Sequence, residues 1–523
     1  MKNNVKTGKA GTAFKAHSIF RAVFTLTAFS AVVKTLGFAF RIILSRNLGA
    51  EMMGVYSIAL SIYFMALTLT SGGLPLVVGR KIAKFRTVND RKSENAVVTA
   101  ALLIGIAVSM FICALFSGAS ALTAKLFSDE RVLPILMLLL PGIVATAIHS
   151  AFYGALWGRR SYFAVSMIEL IEQILRIGLC FLMLTLFPNF NKVFSASLSL
   201  SASCACGALI AMLIFLKTGG RFRSGKGFYK PLIVETAPIT GIRLTGSAVN
   251  SIIALILPLI LVGSGMSKAE SLAAYGAAIG MALPLLFMPG TVVGSLAVAL
   301  VPELAANAQK KDGKAVNAQI GKALAFSILV CCLSMPFYYS TGNILGVWLY
   351  KNADAGRYLV SSTWIMLPVS LEQISGSMMN SLGLELKSYR NYCVTAVILF
   401  ACIIFLPKLV GVHAYFIGLG ASSGVQAIMH IWEIRKKTGF AANLIPPLLK
   451  SIAAAAVGAA VGTLLSRLMK TTPAIVNILV SGASAVLVSL AICLASGLVR
   501  LPALKKKAVS GISARNLSNQ PCP

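Results

Sequence analysis

The chain has 523 residues, of which 57% are hydrophobic and only 12% charged, and its formal net charge is +32. A soluble domain is nearer a quarter charged, so this composition leaves no room for a sizeable soluble domain; apolar runs of roughly 20 residues, each long enough to cross a bilayer as a helix, recur along the whole length. The cations fall in short clusters between those runs rather than on one continuous face, which excludes nucleic acid as the partner they serve.

Fourteen spans are expected, near 17–45, 50–73, 93–118, 131–156, 161–187, 193–217, 232–262, 271–300, 318–341, 357–383, 389–407, 411–434, 447–468 and 475–499. The first is read as a retained helix, because its apolar run outlasts a signal peptide's and contains Lys34 and Arg41. Alternate loops are basic. One set, from Lys2 through the clusters at Arg80–Lys92, Lys217–Lys230 and Arg435–Lys437 to Arg515, holds about 31 cations; the other, from Arg46 to Lys470, about 10. Cytoplasmic loops carry the excess of Lys and Arg, so both termini are expected in the cytoplasm of a bacterial inner membrane. The division is a basic N-terminus 1–16, an N-lobe 17–217, a basic linker 218–231, a C-lobe 232–437, two further spans in 438–499 and a basic tail 500–523.

In chain order, span 1 places Thr27, Ser30, Lys34, Arg41 and Ser45 on one helical face. Span 5 carries Glu169, Glu172, Gln173 and Arg176 on one face, with Glu172 and Arg176 an i,i+4 pair. A charge near the bilayer centre costs about 2.5–3.5 kcal/mol, so these groups must pair or be wet. They are either a structural pair or an ion-coupling group. Span 7 repeats the pattern of span 1 with Thr236, Thr240, Arg243, Ser247 and Asn250. Span 8, "YGAAIGMALPLLFMPGTVVGSLAVALVPELAANAQKK" from Tyr275, matches span 2 from Tyr56 in having a Tyr, an apolar helix, a Pro and then a basic segment. Its Pro284 and Pro289 remove backbone donors and should kink or break it. Span 10 repeats the Glu-Gln pair of span 5 at Glu372 and Gln373. Gly458 and Gly462 in span 13 have the spacing for close helix packing.

The matched spans imply an all-α polytopic protein of two six-helix lobes in parallel repeat, plus two C-terminal helices. Polar stripes would be costly against lipid, so the two lobes should turn them toward a shared wet cavity of positive character. Such a cavity attracts anions, and phosphate-bearing substrates fit it well. Neither a zinc set nor a P-loop, GxSxG or Rossmann motif occurs, so no cofactor, metal or catalytic residue is expected. A membrane-bound glycosyltransferase would need catalytic carboxylates in large outside loops, and the outside loops are short.

Four stretches resemble a known family: "KTLGFAFRIILSRNLGAEMMGVYSIAL" from Lys34, "IELIEQILRIGL" from Ile168, the first part of span 8, and "SGSMMNSLGLELKSYRN" from Ser375. They are similar to the stage V sporulation protein B and polysaccharide-export branch of the multidrug/oligosaccharidyl-lipid/polysaccharide flippase superfamily, which includes the lipid II flippase. The resemblance implies alternating access and movement of undecaprenyl-pyrophosphate-linked sugars to the outer leaflet, with a lipid-tail groove beside the last two helices. It puts Lys34 at a cavity-cation position. Arg41 falls one residue past the second such position, and Arg243 lies on span 7 rather than span 8. The substrate-binding set expected is Lys34, Arg41, Arg243 and Asn250. The alternative is a cation-coupled multidrug/toxin antiporter of the same superfamily, working through Glu169, Glu172 or Glu372.

Overall fold

The computed structural model describes residues 7–118, 127, 129–187, 191–310, 312–441 and 443–498, and the side chains among them other than those of 7–27, 298, 299 and 302. The basic tail 500–523 lies outside the described residues, as do residues 1–6 and the side chains of the rest of the basic N-terminus. Every regular element among the described residues is helical, and ten segments are long and apolar enough to cross a membrane.

Helix α1 (Thr7–Ser71) is interrupted at Gly49, whose φ of 75° and ψ of 175° are open to a residue without a Cβ. It therefore makes two passes, and the second continues beyond Gly72 and Gly73 as α2 (Leu74–Thr87). Four rods complete the first bundle: α3 (Arg91–Gly118), α4 (Val132–Gly158), α5 (Tyr162–Leu186) and α6 (Lys192–Lys217). Small and hydroxyl residues let α4 and α6 approach closely. A methyl on Gly142 would come within 3.1 Å of Ser201 Oγ, which donates 2.7 Å to Leu138 O, in the turn that Pro141 disturbs.

The second bundle opens with α7 (Tyr229–Gly263). Its next rod is assembled from pieces: α8 (Lys268–Tyr275), a π-helical segment Gly276–Ala282, the four-residue α9 (Leu283–Leu286), and α10 (Gly290–Gln309), which Pro289 caps. Then come α11 (Gly313–Tyr350), the broken pair α12 (Ala353–Ser361) and α13 (Met366–Ser381), α14 (Glu385–Phe405), the short α15 (Pro407–Val410) and α16 (His413–Thr438). Last, α17 (Ile445–Leu468) and α18 (Ala474–Ala495) pack on each other and on α11. Gly458 and Gly462 of α17 face Ala485 and Ser489 of α18 so closely that a methyl at either would overlap them.

The two stretches matched in the sequence, around Tyr56 and Tyr275, pack against each other. A methyl on Gly54 would overlap Leu272 O, and one on Gly276 would overlap Ala50 O. Both glycines sit at the end of the molecule that carries the cation-poor loops. That end is shut by backbone-to-backbone packing between the bundles.

Candidate functional site

Toward the basic-loop end the broken rod and the first pass of α1 part around a cavity of about 700 Å³. The first pass of α1 lines it with Ser30, Lys34 and Arg41; α4 adds Tyr153 and Trp157; α5 adds Glu169. The broken rod closes the far wall, from Pro284 to Ser295. Lys34 is exposed into this space and has no acidic or hydrogen-bonding partner among the described residues. Glu169 is engaged by Tyr153, whose hydroxyl donates 2.9 Å to it. Two cations and one carboxylate therefore border the cavity, which leaves it attractive to an anion.

Arg41 stands at the closed end. Its Nε donates to Gly280 O at 2.7 Å, with a longer contact of 3.4 Å from its second nitrogen to Ile279 O. The sequence supplies the reason. Pro284 has no N–H, so the π-helical turn before it, which holds Ile279 and Gly280, is short of one backbone donor. A charged donor from the other bundle fills the place. A π-helical segment at this point is in keeping with the frequent occurrence of such bulges at functional sites.

Further polar contacts hold the closed end. Arg46 Nε donates 2.5 Å to Leu349 O and its terminal nitrogen reaches Trp348 O, at the carboxyl end of α11. Asp129 accepts from the Arg131 backbone at 2.8 Å and from its side chain at 2.9 Å, and Lys268 of α8 lies 3.8 Å away. Arg131 also pairs with Glu51 at 2.5 Å. Burial works against the Asp129 carboxylate, but the hydrogen bonds and charge of Arg131, with Lys268 behind them, outweigh it and hold its pKa below the usual carboxylate value. Lys268 is the link that makes this cluster a clasp between the bundles.

The remaining expected residues lie elsewhere. Arg243 is not on the cavity with Lys34. It donates 2.5 Å to Gly72 O, and Thr240 Oγ1 accepts from Gly73 N at 3.1 Å, so α7 satisfies the break between α1 and α2. Lys81 and Glu235 close the same seam nearer the basic loops at 2.5 Å. Asn250 borders a separate space of about 250 Å³ with Tyr275 and Tyr415. Two arginines thus play one part at two seams, at different depths: each caps a carbonyl where a rod of the opposite bundle is broken.

The carboxylates divide. Glu172 is paired with Arg176 at 2.9 Å, has His149 Nδ1 at 3.7 Å, and accepts from Cys204 Sγ at 3.4 Å. Gly207 leaves room for it, since a methyl there would come within 2.8 Å of its oxygen. Arg176 reaches Gln173 and Ser203 as well. Glu372 has no cation partner among the described residues; it accepts from Gln426 Nε2 at 3.3 Å, and Gln426 in turn accepts from Thr395 at 3.1 Å.

The sequence profile of the polysaccharide biosynthesis protein family matches residues 19–308, more than half the chain. The chain belongs to that family. The chain is similar to the stage V sporulation protein B of Bacillus subtilis (strain 168), 24% identical over 356 residues that cover 65% of this chain and 68% of that one. The sporulation protein YkvU of the same organism is 21% identical over 297 residues, covering 54% of this chain and 64% of that one. Among solved structures, the inward-facing conformation of a multidrug resistance MATE family transporter of the MOP superfamily superposes with a TM-score of 0.64 at 14% identity, covering 78% of this chain and 98% of that one. A MOP superfamily transporter from Pyrococcus furiosus, described by the reverse polarity of its binding pocket, gives a TM-score of 0.59 at 13% identity over 81% and 96%. These likenesses establish the MOP-type helical fold for this member of the polysaccharide biosynthesis family.

Tyr153, Trp157 and the Asp129–Lys268 clasp were not singled out by the sequence reading. The clasp leaves one trace there: acids and cations occurring together in loops that are otherwise poor in both. The aromatic pair leaves none, because a Tyr and a Trp four residues apart at a helix end equally mark a membrane interface.

Proposed function

We propose that this polysaccharide biosynthesis family member is a flippase for lipid-linked oligosaccharides. It would carry undecaprenyl-pyrophosphate-linked cell-wall or polysaccharide precursors to the outer leaflet by alternating access. The observation that carries the reading is Lys34: an unpaired cation on a cavity open toward the basic loops, beneath an end closed only by packing and polar contacts that can part. The pyrophosphate head enters from the cytoplasmic side and pairs with Lys34. Arg41 becomes available to it only when the contact with Gly280 breaks. The head's arrival thus favours the state in which that end opens, as a ligand must to shift a two-state equilibrium. The prenyl tail stays in lipid. The seam held by Arg243 and Lys81 stays shut on this side, so entry is between α1 and the broken rod. No bond is made or cut.

The test is flipping of fluorescent lipid II in proteoliposomes. Lys34→Gln is expected to slow flipping at least tenfold and Lys34→Arg to retain most of it. Unchanged flipping in Lys34→Gln would remove the binding role. Export of a cationic drug without lipid movement would favour the antiporter, for which Glu169 stands in the same cavity.

A further inference from the structure

At the basic-loop end of the first bundle lies a second recess, of about 250 Å³, which shares no lining residue with the cavity around Lys34. Three loops meet in it. The first joins α2 to α3 and brings Arg86, Arg91, Glu94 and Asn95; the second joins α4 to α5 and brings Arg159 and Ser161; the third leaves the end of α6. The deep wall is tightly held. Arg159 Nε donates 2.5 Å to Glu94 Oε1, and the two side chains are only 7% and 6% exposed. A second nitrogen of Arg159 donates 2.7 Å to Thr218 Oγ1, and its guanidinium lies 4.5 Å over the Phe215 ring.

The recess offers donors and acceptors together. Arg159 neutralises Glu94, so Arg86 and Arg91 are in excess. Arg86 gives one nitrogen to Arg159 O at 3.3 Å, and the Arg91 side chain has no acidic or hydrogen-bonding partner among the described residues. Helix α5 starts after Ser161, whose side chain caps none of its N–H groups, so an uncapped amino end adds to the donors. The start of α3 is already taken, because Asp90 Oδ1 accepts from the N–H groups of Lys92 and Ser93. The acceptors are what sets the recess apart. Asn95 is 5% exposed, and its Oδ1 is buried without a partner, which folded proteins rarely tolerate. The second oxygen of Glu94 receives no donor among the described residues either.

We propose that this recess binds inorganic hydrogenphosphate. An anion that only accepts, such as chloride or sulfate, leaves the Asn95 oxygen unmatched. Hydrogenphosphate carries acceptor oxygens and one P–OH. The guanidinium groups of Arg86 and Arg91 take the oxygens, and Asn95 accepts from the hydroxyl. Three arginines against one carboxylate leave two positive charges, which match the dianion. A nucleotide is excluded by size, since pockets for drug-sized ligands hold about 300–1,000 Å³. A phosphate monoester loses its P–OH above about pH 6, so sugar phosphates and lipid headgroups match the recess less well. The bound ion joins three turns of one bundle and leaves the seam between the bundles alone, so the site is independent of the flippase reading. On the orientation adopted there, it faces the cytoplasm.

The experiment is displacement of radiolabelled phosphate from the purified full-length protein in detergent, at constant ionic strength and about pH 7.5, where orthophosphate keeps a hydroxyl and a monoester does not. From wild type, sulfate should need at least tenfold the concentration of unlabelled phosphate, because a site built to bond a hydroxyl rejects the analogue that lacks it. R86Q/R91Q should bind the label at least tenfold more weakly. Asn95→Leu, which keeps the cations and a similar volume, should bring sulfate and phosphate within about twofold of each other. Lys34→Gln should bind the label as wild type does. Equal displacement by sulfate from wild type, undiminished binding in R86Q/R91Q, or an unchanged preference in Asn95→Leu overturns the proposal. So does loss of the label in Lys34→Gln, which would place the ion in the central cavity. Displacement by glycerol phosphate or by dioleoylphosphatidic acid at a lower concentration than by phosphate also overturns it, and assigns the recess to a soluble ester or to a lipid headgroup respectively. Failure of lipid II flipping would leave these readings unaffected.

Discussion

Arg41 donates to Gly280 O across the seam between the two bundles, at 2.7 Å, where Pro284 leaves the π-helical turn that holds Gly280 short of one backbone donor. The cation therefore completes a helix belonging to the other bundle. A buried carbonyl left without a donor costs about 1–3 kcal/mol, so removing Arg41 should favour the state in which the closed end opens. A cysteine at Ser57, which is buried beside Gly280, reports that opening. Arg41→Ala is expected to raise its labelling from the outer side about fivefold or more. Pro284→Ala returns the missing N–H, so in that background Arg41→Ala should have a smaller effect. A coupling near zero in this double-mutant cycle would refute the explanation of why Arg41 is there.

Asp129 supplies the pH dependence of the clasp. Its pKa in the closed state is lowered, so its contribution is fully present above the ordinary carboxylate value of about 3.9 and is lost only as the pH falls through the lowered one. Labelling at Ser57→Cys, taken relative to that of a fully exposed cysteine at each pH so that the thiolate fraction cancels, should then be flat between about pH 5.5 and 8. Asp129→Asn should raise it throughout that range, because Lys268 loses the charge it faces at 3.8 Å. A rise in wild-type labelling between pH 7 and 5.5 would mean that another group governs the closed end.

Much of this was legible in the residues. Hydropathy gives the all-helical membrane character and the order of the apolar segments, because both follow from the cost of apolar surface in water and of charge in lipid. The stripe with Lys34 is legible for the same reason. What the stripe does not carry is depth and partner. Arg41 and Arg243 fall on polar faces of equivalent helices, so periodicity treats them alike, with Lys34, as cavity cations. In the folded chain each meets a carbonyl freed by a proline or glycine break in a rod of the opposite bundle. Those breaks are visible in the sequence at Gly72–Pro75 and Pro284. The pairing of break with cation is set by long-range packing, which one sequence does not encode locally.

Glu172 and Arg176 allow the structural and the ion-coupling readings of their segment to be told apart. Their contacts, with each other and with His149, Cys204, Gln173 and Ser203, lie within the first bundle. Neutralising one partner leaves the other charged and half-buried, at a cost of about 3–5 kcal/mol for a buried pair. Glu172→Gln should lower the thermal midpoint of the purified protein by several degrees, and Glu172→Gln with Arg176→Gln should recover most of the loss. Transport in the recovered double variant should keep the ion dependence of wild type. If ion dependence disappears while stability returns, the pair is a coupling element.

Glu372 presents the opposite arrangement. No cation neutralises it among the described residues, and a single amide at 3.3 Å holds one of its oxygens. A carboxylate so placed in a membrane helix is costly as an anion and cheap when it takes up a proton or a small cation. Its occupancy then has a direct energetic consequence for the packing of α13 against α14 and α16. That is the property needed to couple an ion gradient to the movement of one bundle, and Glu172, already neutralised, lacks it. Glu372→Gln imitates the occupied state permanently. It should leave the thermal midpoint within about one degree of wild type, because the amide can keep a hydrogen bond to Gln426. Flipping of lipid II should then no longer respond to an imposed gradient of H⁺ or Na⁺, while slow exchange without a gradient continues. A variant that keeps the full gradient response would remove Glu372 from the mechanism and leave Glu169, in the cavity itself, as the carboxylate to examine.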